Sequence, residues 1–354
     1  MIMSSKAIVY VNLGSPASPG IRNVRRYLKE FLSDPCVIDL PSAVRYLLVR
    51  GIIVPVRSVH SSRLYSNIWS ERGFPLIYHG EDLLSEIRKM PHPGYDLFLA
   101  MRYGEPSLTG LLEQLKESGY QEIRIIPLFP QFASSTTGSI IRITRQVLQG
   151  SRLLNHTGIM LQFHQHEGFI RVWQKKISRM LAADHDAVIF SYHGIPVRHA
   201  EAAHPGRTCE ELHCRQQYSE ENMFCYQASC FQTTRSIASG LKHTPARIIT
   251  SFQSRFGRNW LEPQTKKILQ SLAAGRLRKI LVVSPSFVAD CLETEVEIGL
   301  EYRELFIKAG GKELALVPSL NSDHQWAGVL LDLATGQNNF VELGNADCKI
   351  GSLR

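Results

Sequence analysis

In the stretch IFSYHGIPVRHA, His193 follows the apolar run Ala187-Val188-Ile189-Phe190 and is followed by Gly194 and Pro196. A short apolar run ended by Gly and Pro reads as a buried strand. His193 is therefore expected at the strand's carboxyl end, where open α/β sheets place their ligands. Histidine as a residue type titrates near neutrality, so it can serve as a base or a metal ligand. Taken alone, a histidine in that position is more often a hydrogen-bonded structural residue.

A second segment adds to the functional reading. DCLETEVEIGLEYRE runs from Asp290 to Glu304 after the apolar strand pattern LVVSPSFV. If it is an α-helix, Asp290, Glu293, Glu297 and Glu301 share one face, at spacings of three, four and four. Leu292, Val296 and Leu300 then form an apolar stripe about 100° round the helix. Stacked like charges repel, so a half-buried carboxylate ladder is expected to serve divalent metal or protons; the plainer explanation is a solvated acidic face. A metal that must pass from Glu to His needs few, mixed donors and no closed cage.

Four cysteines crowd into RTCEELHCRQQYSEENMFCYQASCFQ: Cys209 and Cys214, then Cys225 and Cys230, each pair C-x4-C with ten residues between the pairs. The spacing is unlike the C-x2-C knuckles of zinc ribbons, which favours a [2Fe–2S] cluster over structural zinc, with His213 able to replace one ligand. Cys36 and Cys348 are expected to be free thiols. Seven cysteines, four of them clustered, suit metal or thiol chemistry in a reducing compartment better than a secreted disulfide framework.

The run Tyr46 to Val56 carries one charge, Arg50. It is either a helix packed in the core or an exposed lip. A lip would admit a large apolar ligand or dip into a membrane, with Arg45, Arg50, Arg57 and Arg63 answering anionic groups. Arg102-Tyr103 and Trp260 stand near strand ends, where they would line a pocket for a flat conjugated ligand.

The elements that must position these residues alternate. Strand patterns start at Ala7, Asp96, Ile123, Gly158, Ala187, Arg247, Lys279 and Leu314, with amphipathic stretches such as those from Pro106 and Gly168 between them. Alternation at this pitch predicts an α/β fold: two similar Rossmann-like domains with parallel sheets covered by helices, and an active site in the cleft between them. The expected divisions are 1–165, 166–335 and a polar tail, 336–354. Forty Lys and Arg against 32 Asp and Glu give a formal net charge of +8, spread along the chain. That favours anionic small molecules or a membrane surface over nucleic acid. MIMSSKAIVYVNLGSP lacks a signal-peptide layout, and no window holds the about 18 consecutive apolar residues of a membrane span. The expected address is the cytoplasm, with peripheral contact at the inner membrane face through Tyr46–Val56.

Seven motifs in order resemble the ferrochelatases from about Ala7 to about Ala334: VNLGSP, VRRYLKEFLSDPCVIDLP, AMRYGEPS, PLFPQFASSTTGS, SYHGIP, SFQSRFGRNWLEPQT and ADCLETEVEI. The resemblance implies an enzyme, a lyase that inserts Fe²⁺ into protoporphyrin IX or coproporphyrin III and releases two protons as the last step of haem synthesis. It implies His193 as proton acceptor or metal site and Glu293 as the facing carboxylate, with Glu297 and Glu301 continuing an acidic track. Leu13, Arg102, Tyr103 and Trp260 match pocket positions, Tyr65 and Ile68 the lip, and Arg57 a position near the propionates. Iron and porphyrin are the expected partners; no nucleotide is expected, since no G-x-G-x-x-G occurs.

A rigid pocket that holds the macrocycle buckled would expose its nitrogen lone pairs, turning binding energy into distortion. The chain departs from the family pattern at Cys291, where many members have histidine, at Gly73-Phe74-Pro75, which lacks the lip hydroxyl, and in carrying its cysteines internally. A sirohydrochlorin chelatase would want a more cationic pocket and paired histidines. A haem carrier would want a firm axial ligand and no acidic track.

Overall fold

The computed structural model describes residues 5–92, 94–241, 247–336 and 340–344. It divides into two compact units: Met1–Phe129 with Ser134–Gln162 and Ser322–Arg354, and Pro130–Ala133 with Phe163–Asn321. The expected division differs in several places, and residues 163–165 fall in the second unit. Residues 130–133 belong to the second unit, and the helix His324–Thr335 belongs to the first. That helix buries Trp326, Leu330, Leu331 and Ala334 and packs on the helix Pro75–Arg88, so its apolar face, and not its place in the chain, decides its unit.

The first unit is built on β1 (Lys6–Asn12), β2 (Asp96–Met101), β3 (Glu122–Pro127), β4 (Thr157–Ile159) and β9 (Val341–Glu342), in the order β2-β1-β3-β4-β9. The first four strands are parallel, and β9 joins the edge antiparallel, pairing Gly158 with Glu342. The stretch from 336 onward, expected to be unstructured, thus supplies an edge strand. Leu343 is buried, and Arg124 lies over the Phe340 ring.

The second unit holds β5 (Ala187–His193), β6 (Arg247–Gln253), β7 (Lys279–Val283) and β8 (Glu313–Leu316), in the order β6-β5-β7-β8, all parallel. With β9 set aside, both sheets run second, first, third, fourth strand. The central strands are buried on both faces: Ala7 to Val11 in β1 and Ala187 to Tyr192 in β5. Continuous apolar runs are what a parallel sheet covered on both sides demands. The helix Ile21–Ser33 covers its unit with Val24, Tyr27, Leu28 and Leu32, one stripe of an amphipathic helix.

Each unit places a turn at the carboxyl end of its first strand, VNLGSP after β1 and YHGIP after β5. In the first, Gly14 has φ +104, and a Cβ there would lie 1.8 Å from the Tyr103 carbonyl oxygen. In the second, a Cβ on Gly194 would lie 2.6 Å from the Gln253 carbonyl oxygen. Both glycines are needed because neighbouring backbone passes too close for a side chain. Gly14→Ala should therefore lower stability by on the order of 3 kcal/mol; an unchanged denaturation midpoint would show that the turn relaxes freely.

Candidate functional site

His193 is the last residue of β5 and pairs in register with Gln253, the last of β6. Its ring meets Phe287 edge-on at 6.1 Å, and its Nδ1 is buried with no hydrogen-bond partner among the described residues. Trp260 packs over the adjoining Gly194, within 3.4 Å of where a Cβ would stand, and bridges Pro196. The backbone behind His193 is held from below, since the Tyr226 hydroxyl donates to the His193 carbonyl at 2.9 Å. Tyr226 also meets Ser286, which donates to Gln131, and Gln131 in turn donates to Thr233. Gln131 and Tyr226 belong to this site although no spacing rule singles them out.

The acidic segment is a π-helix from Glu293 to Tyr302, not an α-helix. Such i→i+5 turns are rare and frequent at functional sites. The wider turn changes which residues face inward: Thr294, Val296, Ile298 and Tyr302 are buried, whereas Leu300, expected in the apolar stripe, is 54% exposed. Ile298 and Tyr302 pack into the core with Ala187, Ile189 and Val282.

The four carboxylates of the ladder separate into two kinds. Asp290 is buried and accepts from the Asn321 amide at 2.7 Å, the Ser319 N–H and the Thr294 hydroxyl. Glu297 accepts four bonds: Ser254 N–H at 2.8 Å, Ser254 Oγ at 2.5 Å, Tyr302 hydroxyl at 2.6 Å and Gln253 Nε2 at 3.1 Å. These use the lone-pair positions a carboxylate has. Glu293 is half-buried beside Cys291, whose thiol is pushed well up, chiefly by burial and then by the Glu293 charge. Glu301 is exposed. Gln253 joins the parts: it accepts from Ser191 on β5 at 2.7 Å and donates to the Glu293 carbonyl at 2.9 Å as well as to Glu297.

In the first unit, Arg102 and Tyr103 follow β2 and are drawn into a buried polar network. Arg102 Nη2 reaches Asp34 Oδ2 at 2.5 Å, and the Tyr103 and Ser139 hydroxyls donate to the same oxygen at 3.0 and 2.6 Å. Tyr103 is fully buried. Burial alone would raise the Asp34 carboxyl, but the Ser139 hydroxyl, the Cys36 N–H and the Arg102 charge outweigh it and hold the group below its ordinary value. Beside this network lies a cavity of about 420 Å³ lined by Lys29, Glu30, Ser33, Asp34, Arg50, Arg102 and Arg142. Arg57, expected near anionic groups, is not among those residues; it is exposed on the helix Val54–Ser66.

The apolar run around Tyr46–Val56 is one continuous helical stretch: Ser42–Leu47 is α-helical, Leu48–Ile53 is π, and Val54–Ser66 is α-helical again. Val49 and Val54 are buried, while Leu47 is 69% and Val56 71% exposed, with Val44, Tyr46 and Ile52 also outward. Tyr65 packs against Tyr27 and Phe74, Ile68 is buried, and Leu13 is half-buried against the same cluster.

The cysteine segment gathers His204, Cys209, Cys214 and Cys225, all buried, with ligand atoms within 4.8 Å of one another. Two expectations change. Cys230 is not in the group: Cys225 caps the helix Tyr226–Ala238, and five residues along an α-helix turn a side chain about 140° away. His213 is exposed at φ +47, and His204 takes the histidine place. Cys36 is a half-buried free thiol, and Cys348 lies outside the described residues.

With the site assembled, comparisons with known proteins place it. The model of the family Ferrochelatase matches residues 5–338. The chain belongs to the ferrochelatase family. A Ferrochelatase of Legionella pneumophila (strain Lens) is 38% identical over 333 residues, 94% of this chain and 99% of that protein. One of Pseudomonas fluorescens biotype C is 39% identical over 331 residues, 93% and 97% of the two chains. Among solved structures, SirB from Bacillus subtilis with Fe3+ has a TM-score of 0.50 at 13% identity, covering 95% of this chain and 99% of that one, a likeness of fold. This ferrochelatase-family chain is accordingly an enzyme, a lyase of haem synthesis whose substrates are ferrous iron and a porphyrin. Among the described residues no helix is long and apolar enough to cross a membrane.

Two stability experiments follow from these networks. Glu297→Ala strands four donors and should cost about 2–3 kcal/mol in denaturant unfolding, while Glu301→Ala should change stability by less than about 0.5 kcal/mol. Asp34→Asn should cost about 3 kcal/mol at pH 7 by breaking a buried pair. Because the folded-state value of Asp34 is depressed, its contribution is present above the ordinary 3.8 and lost as pH falls through the lower folded value. The gap between wild type and Asp34→Asn should narrow below pH 3.8, and a pH-independent gap would contradict the network.

Proposed function

We propose that this enzyme inserts Fe²⁺ into protoporphyrin with His193 and Glu293 as the reacting groups. The observation that carries the reading is the buried Nδ1 of His193 at the end of β5, which has no hydrogen-bond partner among the described residues. Most buried polar atoms in a folded protein have a partner, and one left without it at a strand's carboxyl end is open to a ligand, a proton or water. An imidazole so placed accepts a pyrrole proton or holds the incoming iron. Glu293, on the first turn of the π-helix, takes protons away or delivers metal. Glu297 acts as a brace, through Gln253 and Ser254, and Glu301 at the exposed end of the same row meets ions from solvent.

On the first unit, Lys29, Arg50 and Arg142 around the 420 Å³ cavity receive the propionates. A cavity of that volume lies at the small end of ligand pockets and suits one acidic edge of the macrocycle. In the second unit Trp260 packs against the ring margin, and the remaining binding energy goes into buckling the ring. The outward Val44, Leu47, Ile52 and Val56 beside Arg45, Arg50 and Arg63 support an amphipathic surface that rests on an anionic membrane while an apolar porphyrin enters. The apolar side chains are the reason to prefer protoporphyrin to the more highly charged coproporphyrin.

The test is anaerobic conversion of porphyrin to haem, followed by absorbance. His193→Ala and Glu293→Gln should each bind porphyrin, seen by fluorescence, and lose at least about 100-fold in insertion rate. Unchanged turnover in His193→Ala would discard its role. Faster turnover of coproporphyrin than of protoporphyrin would reverse the substrate assignment. Porphyrin bound by wild type with no metal uptake would leave a carrier.

A further inference from the structure

Cys209, Cys214, Cys225 and Cys230 were expected, from their spacing, to hold a [2Fe–2S] centre, whereas the group that forms is His204, Cys209, Cys214 and Cys225. Its dimensions test that expectation. Cys209 Sγ and Cys225 Sγ lie 3.6 Å apart, and His204 Nε2 lies 3.7 Å from Cys209 Sγ and 3.8 Å from Cys214 Sγ. A tetrahedral ion with metal–sulfur bonds of about 2.3 Å holds its donors about 3.5–3.8 Å apart. These three separations match edges of such a tetrahedron, and all four donor atoms lie within 4.8 Å of one another. A two-iron rhomb binds its ligands in pairs on two metals, so donors on opposite irons must stand farther apart than donors on one ion. Cys230, needed as the fourth thiolate of an all-cysteine cluster, is buried and turned toward Tyr226 instead.

The surroundings fit a single closed ion as well. His204 Nδ1 can only donate to the Arg207 carbonyl, at 2.8 Å, which leaves the Nε2 lone pair facing the sulfurs. Asn222 Nδ2 donates to Cys214 Sγ at 3.6 Å, and the Cys209 N–H is taken by Glu201. All four donors are buried, so no coordination position is left for a substrate.

We propose that His204, Cys209, Cys214 and Cys225 form a closed tetrahedral site for one zinc-class divalent ion, with Cys230 outside the ligand set. The ion has a mechanical task. Its ligand Cys225 caps the helix whose first residue, Tyr226, holds the His193 carbonyl. Binding at this site therefore fixes the chain that fixes the end of β5. The iron that reacts and the ion that resides are thus different metals in different donor sets, one open and one closed.

The experiment is elemental analysis of the full-length protein, desalted after expression with both zinc and iron supplied. One zinc per chain, no acid-labile sulfide and a colourless protein are expected, and Co²⁺ exchanged for zinc should give the strong visible absorption of tetrahedral cobalt thiolate. His193→Ala and Cys230→Ser should keep the full equivalent; His204→Ala and Cys214→Ser should lose it. Should the His204 or Cys214 variants fail to fold, X-ray absorption on wild type decides: one nitrogen and three sulfur donors support the site, and four sulfur donors overturn it. Two irons and two sulfides per chain, abolished by Cys230→Ser, would also overturn it, as would wild-type protein without a stoichiometric metal.

Discussion

One buried amide ties the carboxyl end of β5 to the π-helix Glu293–Tyr302. Gln253 takes a hydrogen bond from Ser191 on β5 and gives its own two protons to the Glu293 carbonyl and the Glu297 carboxylate. A glutamine offers one acceptor group and two donors, and all are used across three elements. The distance between the strand that ends in His193 and the helix that begins with Glu293 is therefore set by short, directional bonds inside a dry core. Apolar packing of Ile298 and Tyr302 under the sheet supplies the non-directional part of the same attachment.

The π-helix is the geometric companion of that bond. An α-helix would have placed Leu300 against the sheet and run the carboxylates along a narrow line. The π winding exposes Leu300 and turns Tyr302 inward, where its hydroxyl completes the shell of Glu297. Rare backbone of this kind persists only when its surroundings over-determine it, and here four donors and an apolar stripe do so. The lip of the first unit uses the same device, a π turn at Leu48–Ile53 inside a longer helix.

The two units repeat one strand order without a visible sequence repeat. Asn12 ends β1 as His193 ends β5, and a glycine that a passing carbonyl requires follows two residues after Asn12 and directly after His193. The scaffold is thus the same, and the chemistry differs by what terminates the strand. In the first unit the polar groups that follow are spent on holding Asp34, a buried carboxylate paired with Arg102 and two hydroxyls. In the second, the histidine keeps a nitrogen without a hydrogen-bond partner among the described residues.

Much of this could be read in advance. Continuous apolar runs identified β1, β5 and β7, because a strand covered on both faces needs nothing polar, and punctuation after them located His193. Membership of the ferrochelatase family was legible in the order of seven motifs. What local pattern could not give was anything fixed by contacts between distant residues. The π winding depends on Gln253 and Ser254, some forty residues upstream of the helix it shapes. The fate of the helix His324–Thr335 depends on which unit offers an apolar groove, and the strand at Val341–Glu342 on an open sheet edge. The metal centre is the sharpest case. Spacing weighs cysteines equally, but a helix rotates Cys230 away from Cys225 while the fold brings in His204, so donor types were set by the sequence and the donor set only by the tertiary structure.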